Sequence, residues 1–336
     1  MFNLANETPY AAERTLVCDK DGRDVWVVAV KGTFLIKPDG TTVLADKQEP
    51  VEQSPVHFGD PLTSSLKYEC DLDYTKPTTD VLLHGHAYAP KGKPTTQVEV
   101  AMKLASIDKA LRVTGDRSWQ EGVLGLRLSE PEPFLKMPLL YERSFGGTDL
   151  RSDHPKRRGW EPRNPVGTGY DAGSGPSPGQ MAPNIEAASS SLIRGQRPAG
   201  FGPIARHWAP RAHLAGTYDA AWEQHRAPLL PKDFNERFFQ CAPEDQQTPQ
   251  YLKGNKEVEL KNLTPDGELK FRLPRVALSL VTTLAGEEIR HRPKLHTVMI
   301  EPDVPRVIMV WHDSVPCAGR RMKLVGTSVV EKPYIN

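Results

Sequence analysis

Residues 25–36, VWVVAVKGTFLI, are rich in β-branched and aromatic side chains and stop at Pro38-Asp39-Gly40. Because apolar residues fall on both faces of this run, it predicts a central strand entering a turn, with residues 41–45 returning beside it. Residues 65–74 alternate more cleanly. Leu66, Tyr68, Cys70, Leu72 and Tyr74 fall on one face, and Lys67, Glu69, Asp71 and Asp73 on the other. That pattern predicts a strand with one wet side. Further strands are expected over 80–88, 96–104, 110–114 and 119–128, separated by turn signals at the short intervals of antiparallel β architecture.

Periodicity lapses from 139 to 202. Within that stretch, residues 164–201 read NPVGTGYDAGSGPSPGQMAPNIEAASSSLIRGQRPAGF. Pro lacks a donor and Gly accepts almost any backbone conformation, so neither helix nor sheet is expected to run through it. A loop-rich segment this long inside a compact chain is usually a functional surface or a disordered one. A helix is expected next: Pro210 suits a first turn, Leu214, Tyr218, Trp222 and His225 share a stripe, and Pro228 and Pro231 end it. Residues 234–241 add a short helical turn. Strands return over 257–263 and 268–273, flanking Thr264-Pro265-Asp266-Gly267, and over 276–283, 295–300, 307–311 and 322–330. Pro302-Asp303-Val304-Pro305 is expected to link two of them as a hairpin.

The expected fold is therefore mainly β, with an antiparallel β-sandwich type core, as one large or two adjacent sandwiches. An N-terminal antiparallel β block over 1–138 precedes a loop-rich central region over 139–254, with a helix near 210–226. A C-terminal β block over 255–336 packs with the first.

Charge narrows the function classes. Lys plus Arg number 43 and Asp plus Glu 42, a net charge of +1, so no general attraction to nucleic acid or anionic lipid is expected. The basic run Lys156-Arg157-Arg158 is too short to alter that and reads as a solvated loop face. No signal peptide and no membrane-spanning run is expected, which places the protein in the cytoplasm. Cys18, Cys70, Cys241 and Cys317 lie far apart, as isolated thiols do.

Candidate chemistry is thin. His84 and His86 stand two apart on an expected strand, so both imidazoles could reach one ion, with Asp71 or Asp73 as a further ligand. With ten histidines in the chain, packed or solvent-facing rings are the simpler reading. Ser144 precedes Phe145-Gly146-Gly147, but the spacing matches neither GxSxG nor a phosphate loop, and a structural turn is expected. His312 and Asp313 are sequence neighbours, which says little, since members of a catalytic triad meet in space. No cofactor is expected. Exposed aromatic side chains along the central region suit a protein interface, with Phe145, Trp160, Tyr170, Phe201 and Trp208 as anchors.

VWVVAVKGTFLI, YERSFGGTD (141–149), NPVGTGY (164–170), PNIE (183–186), PAGFGPIARHWAPR (198–211), DFNERFFQCAPEDQ (233–246) and HTVMIEPDVPRVIMVWH (296–312) occur in this order. Together they resemble the bacterial family known as domain of unknown function 2169, over nearly the whole chain. His296 departs from the pattern, where Asp is expected. The resemblance implies an adaptor or chaperone for type VI secretion. Its partner would be a cognate effector toxin with a PAAR-type domain, the spike protein, or both. It implies no catalytic residues. Two alternatives follow from the residues themselves: a metal-dependent hydrolase using His84 and His86, or a carbohydrate-binding β-sandwich.

Overall fold

The apolar run at 25–36 becomes the strand Asp24–Ile36, and it lies inside a six-stranded sheet. The sheet order is Ala11–Cys18, Asp24–Ile36, Arg306–Pro316, Lys294–Glu301, Asp80–Leu83, with Thr42–Leu44 returning on Asp24–Ile36 as the turn predicts. This computed structural model describes residues 2–123, 125–151, 153–154, 156, 158–189 and 197–333. Of the stretches singled out from the sequence, Leu124, Arg157 and residues 190–196 lie outside the described residues.

Two further sheets complete the architecture. A five-stranded sheet runs Ile185–Ala187, Ile107–Thr114, Gln97–Leu104, Glu257–Lys261, Glu268–Arg272. A four-stranded sheet runs Asn3–Asn6, Leu324–Glu331, Leu278–Leu284, Glu287–His291. Each of the three takes strands from both the 1–138 and the 255–336 stretches. Trp26, Val28 and Val30 point to one side of Asp24–Ile36, and they share a continuous core with Val100, Met102 and Leu260 of the five-stranded sheet and Leu280 and Val329 of the four-stranded one. The protein is thus mainly β, of the sandwich type. Most pairings are antiparallel; Asn3–Asn6 with Leu324–Glu331 and Asp80–Leu83 with Lys294–Glu301 are parallel.

Hairpins with explicit turn chemistry form where the sequence places them. Glu257–Lys261 pairs with Glu268–Arg272 across the Thr-Pro-Asp-Gly turn, and Lys294–Glu301 with Arg306–Pro316 across Pro-Asp-Val-Pro. Four expectations change. The 119–128 stretch is a hairpin, Trp119–Gly122 against Gly125–Leu128. The 80–88 stretch breaks at His84-Gly85: Asp80–Leu83 stays in the six-stranded sheet, whereas His86–Tyr88 pairs with Lys136–Pro138.

The helix near 210–226 is also two pieces, a 3-10 turn Arg211–Ala215 and an α-helix Ala220–His225. Gly216 separates them at φ +86, where a Cβ would stand 2.7 Å from Pro231 Cβ. The Asp219 carboxylate restarts the helix by accepting from Trp222 N at 2.8 Å.

The fourth change concerns the acidic stripe. Only Leu66–Tyr68 is strand, and the expected wet side is not wet. Val25, Val27 and Ala29, on the second face of Asp24–Ile36, are covered by Val51 and Leu72, so residues 51–74 wrap the outer face of the six-stranded sheet. Glu69, Asp71 and Asp73 are then buried or nearly so and must find cations. Lys31 meets Asp71 at 2.9 Å, Arg211 meets Glu69 at 2.6 Å, and Arg206 reaches Asp73 at 2.7 Å and Glu69 at 3.0 Å. Such pairs set register and position more than net stability, because desolvation offsets much of the attraction.

Candidate protein-binding surface

The loop-rich centre is tied down by backbone and amide hydrogen bonds, although it carries little regular structure. Asn164, fully buried, donates from Nδ2 to Tyr141 O at 2.8 Å and Phe145 O at 3.0 Å, and its carbonyl accepts from Gly147 N at 2.8 Å. Ser144 Oγ accepts from Ala199 N at 2.7 Å and donates to Ile185 O at 3.3 Å. Thr168 N donates to Ser144 O, and Asn184 N to Arg143 O. The segments 141–149, 164–170, 183–186 and 198–201 therefore converge on one knot. Their small residues are there for space. A Cβ on Gly147, at φ +92, would stand 2.3 Å from Gly167 O, and one on Gly146 2.2 Å from Asn164 O.

This knot is anchored to the sandwich. Ile185–Ala187 extends the five-stranded sheet beside Ile107–Thr114, and Arg143 bonds Asp116 at 3.0 Å and Asn184 at 3.1 Å. From it the loops reach outward as a connected layer. Thr148 bridges Trp160, Arg151 is bonded to Asp149 and the Asp171 and Gly175 carbonyls, and Gln180 reaches Tyr170 O. Met181 bridges Ser118, so the Trp119–Gly122 hairpin joins the same layer. Apolar side chains are exposed across it: Trp160 at 56 %, Leu150, Met181 and, at the hairpin tip, Val123.

The proposed anchors divide accordingly. Trp160 stands in solvent; Phe145 and Tyr170 are half-buried against each other, ring centroids 6.4 Å apart. Phe201 and Trp208 are not anchors. Phe201 is fully buried in the main core, and Trp208 packs edge-on against Tyr141 at 5.5 Å with 1 % exposure. An apolar ring in a loop sequence can face either way, and nothing in the local pattern distinguishes the two.

Sites for chemistry are built differently. His84 is buried with Nε2 on Lys67 O at 2.5 Å, and burial holds its pKa below the usual histidine value. His86 turns instead to Asp303, with Nδ1 2.5 Å from Oδ2. The strand break sends the two rings to different partners, and Asp71 and Asp73 are taken by Lys31 and Arg206. Among the described residues no group of three or more His, Cys, Asp or Glu side chains is placed to hold a metal ion. Ser144 is fully buried and already bonded.

One arrangement has triad order that the sequence spacing does not reveal. Asp313 Oδ2 lies 2.9 Å from His291 Nδ1, and His291 Nε2 lies 2.9 Å from Thr282 Oγ1. Thr282 is fully buried and shares its hydroxyl with Thr327 at 2.7 Å, so no substrate carbonyl reaches it. His312, the sequence neighbour of Asp313, instead stacks on His296 at 4.5 Å.

A second enclosed polar cluster lies on the outer face of the six-stranded sheet. Lys76 Nζ meets Asp80 Oδ2 at 2.9 Å, Thr297 Oγ1 at 3.0 Å and Cys241 Sγ at 3.7 Å. Burial opposes the Lys76 charge, but Asp80 outweighs it and raises the pKa, while burial pushes the Cys241 thiol up. The adjoining cavity is about 30 Å³, the scale of a water molecule rather than a substrate.

The order of the knot's segments matches the resemblance, and the comparison settles it: a family model described as "Uncharacterized protein conserved in bacteria (DUF2169)" matches residues 21–312. The chain belongs to the DUF2169 family. The match spans strands of the six-stranded and five-stranded sheets and the whole loop knot. No curated protein and no solved structure matches this DUF2169 chain. Among the described residues no helix is long and apolar enough to cross a membrane.

Proposed function

We propose that this protein is a non-enzymatic cytoplasmic adaptor that binds a cognate type VI secretion effector through its PAAR-type or N-terminal region. It holds the effector for loading onto the secretion spike. The observation that carries this reading is the loop layer itself: a wide irregular surface, fixed by the buried Asn164 and Ser144 bonds, presenting Trp160, Leu150 and Met181 to solvent. A preformed surface loses little entropy on docking, which suits recognition of a folded or partly folded protein. The resemblance supplies the identity of the partner. Binding alone then stabilises the effector by mass action, with no nucleotide required. The hydrolase reading would need His84 and His86 on one ion, and their rings are held by Lys67 and Asp303 instead.

Co-purification of the tagged protein from its native cells, with mass spectrometry of the bound material, tests the reading. A PAAR- or spike-containing toxin at near-stoichiometric level is expected. Trp160→Ala should weaken that complex roughly 30-fold, as loss of a central aromatic anchor does. A clean monomer from actively secreting cells would sink the adaptor role.

A further inference from the structure

A groove of about 840 Å³ opens where the chain leaves the four-stranded sheet and enters the six-stranded one, and it shares no lining residue with the loop layer. Four exposed cations rim it: Lys253, Arg292, Lys294 and Lys332. Among the described residues none of the four has a carboxylate within ion-pair distance, although other exposed lysines and arginines do. Acids close by in sequence are engaged elsewhere: Glu331 accepts from Tyr10 OH at 3.0 Å, and Asp313 holds His291. Among the described residues no Asp or Glu lines the groove. Concentrated positive charge on a chain of net charge +1 is a local feature that overall composition does not reveal.

The groove also offers backbone. Leu278–Leu284 pairs with Glu287–His291 only as far as Leu280 opposite His291. Beyond that point Arg292-Pro293 leads the chain away, and Leu278 and Ser279 keep a strand on one side only, through Glu331 and Val330. An open sheet edge accepts an added strand by main-chain hydrogen bonds. The floor is aromatic. Tyr251 lies flat on His296 at 5.6 Å with the Lys294 ammonium 4.9 Å from its centroid, and Trp311 closes the base.

We infer that this groove binds an extended acidic segment of a partner protein, which adds as a short strand beside Leu278 and Ser279. Its carboxylates meet Lys253, Arg292, Lys294 and Lys332, and its alternate apolar side chains rest on Tyr251 and Trp311. The open edge favours a peptide over a nucleic acid, which has no backbone amides to continue a sheet. The inference goes beyond the adaptor reading and survives without it, since it rests on a separate face.

The test is anisotropy titration of a rhodamine-labelled peptide alternating Glu and Val. Saturable binding is expected that weakens with salt and is lost when Gln replaces Glu in the peptide. Arg292→Glu with Lys294→Glu should reduce affinity at least roughly tenfold, while Lys37→Glu with Lys47→Glu, also exposed, should not. Equal affinity for the Gln peptide overturns the inference without reference to any variant. So does unchanged affinity in the groove variant with its circular dichroism intact. Tighter binding of an oligothymidylate than of the peptide, at equal charge, overturns it too. Retention of a co-purifying effector by the groove variant leaves the loop-layer reading standing and separates the two.

Discussion

Arg211→Met tests the ionic layer that fastens the central region to the sheet. The Arg211 and Glu69 side chains are each 3 % exposed, and Nη1 lies 2.6 Å from Oε2. The same guanidinium donates to Phe238 O at 3.0 and 2.8 Å and to Ile204 O at 2.5 Å. Burial opposes ionisation of Glu69, but Arg211 and Arg206 outweigh it and hold its pKa below the usual carboxylate range. At an effective dielectric near 20 the attraction across such a contact is about 6 kcal/mol, most of it offset by desolvation of both groups. Removing the cation alone leaves a buried charge and two carbonyls without their donor, and breaking a buried pair costs about 3–5 kcal/mol. Arg206 still reaches Glu69, so the lower end, near 3 kcal/mol, is expected. Equilibrium urea unfolding followed by tryptophan fluorescence and circular dichroism reads this directly. Glu69→Gln combined with Arg211→Met should cost less than the two single changes summed, with a coupling of about 2 kcal/mol. A single-variant loss under about 1 kcal/mol, or coupling near zero, would refute the account of the acidic stripe.

Other consequences are equally measurable. Gly147→Ala places a Cβ 2.3 Å from Gly167 O at φ +92, so a loss of at least about 2 kcal/mol is expected. Amide exchange should then quicken at Thr168 and Tyr170, and unchanged protection there would show that the knot is not cooperative. Burial lowers the His312 pKa to about 4, against 6.5 for the ordinary side chain, while Asp313 and the Asp73 backbone act the other way; the unfolded chain therefore takes up a proton first. Stability present above pH 6.5 should fall by about 3 kcal/mol between pH 6.5 and 4 on this account. His296, stacked on the same ring and also lowered by burial, adds in the same direction. His312→Gln should flatten that part of the stability profile, and an unaltered slope would remove His312 as its source.

Alternation, apolar runs and turn residues determined the β class of this protein and the main strand at 24–36. They also determined the hairpins across Thr264-Pro265-Asp266-Gly267 and Pro302-Asp303-Val304-Pro305, because a strand's periodicity and a turn's backbone needs are local. They equally marked the 164–201 stretch as irregular. Only the tertiary structure decided which strands are neighbours, since pairing joins residues hundreds of positions apart, such as Asn3 with Gly326. The polar face of the 65–74 ribbon is polar on either reading; whether it meets water or Arg206 and Arg211 depends on a segment over a hundred residues away. The same holds for Phe201, buried where Trp160 is exposed, and for Asp313, which finds His291 rather than its neighbour His312. Sequence carries the period of a face, whereas what covers that face is settled by chain closure over long loops.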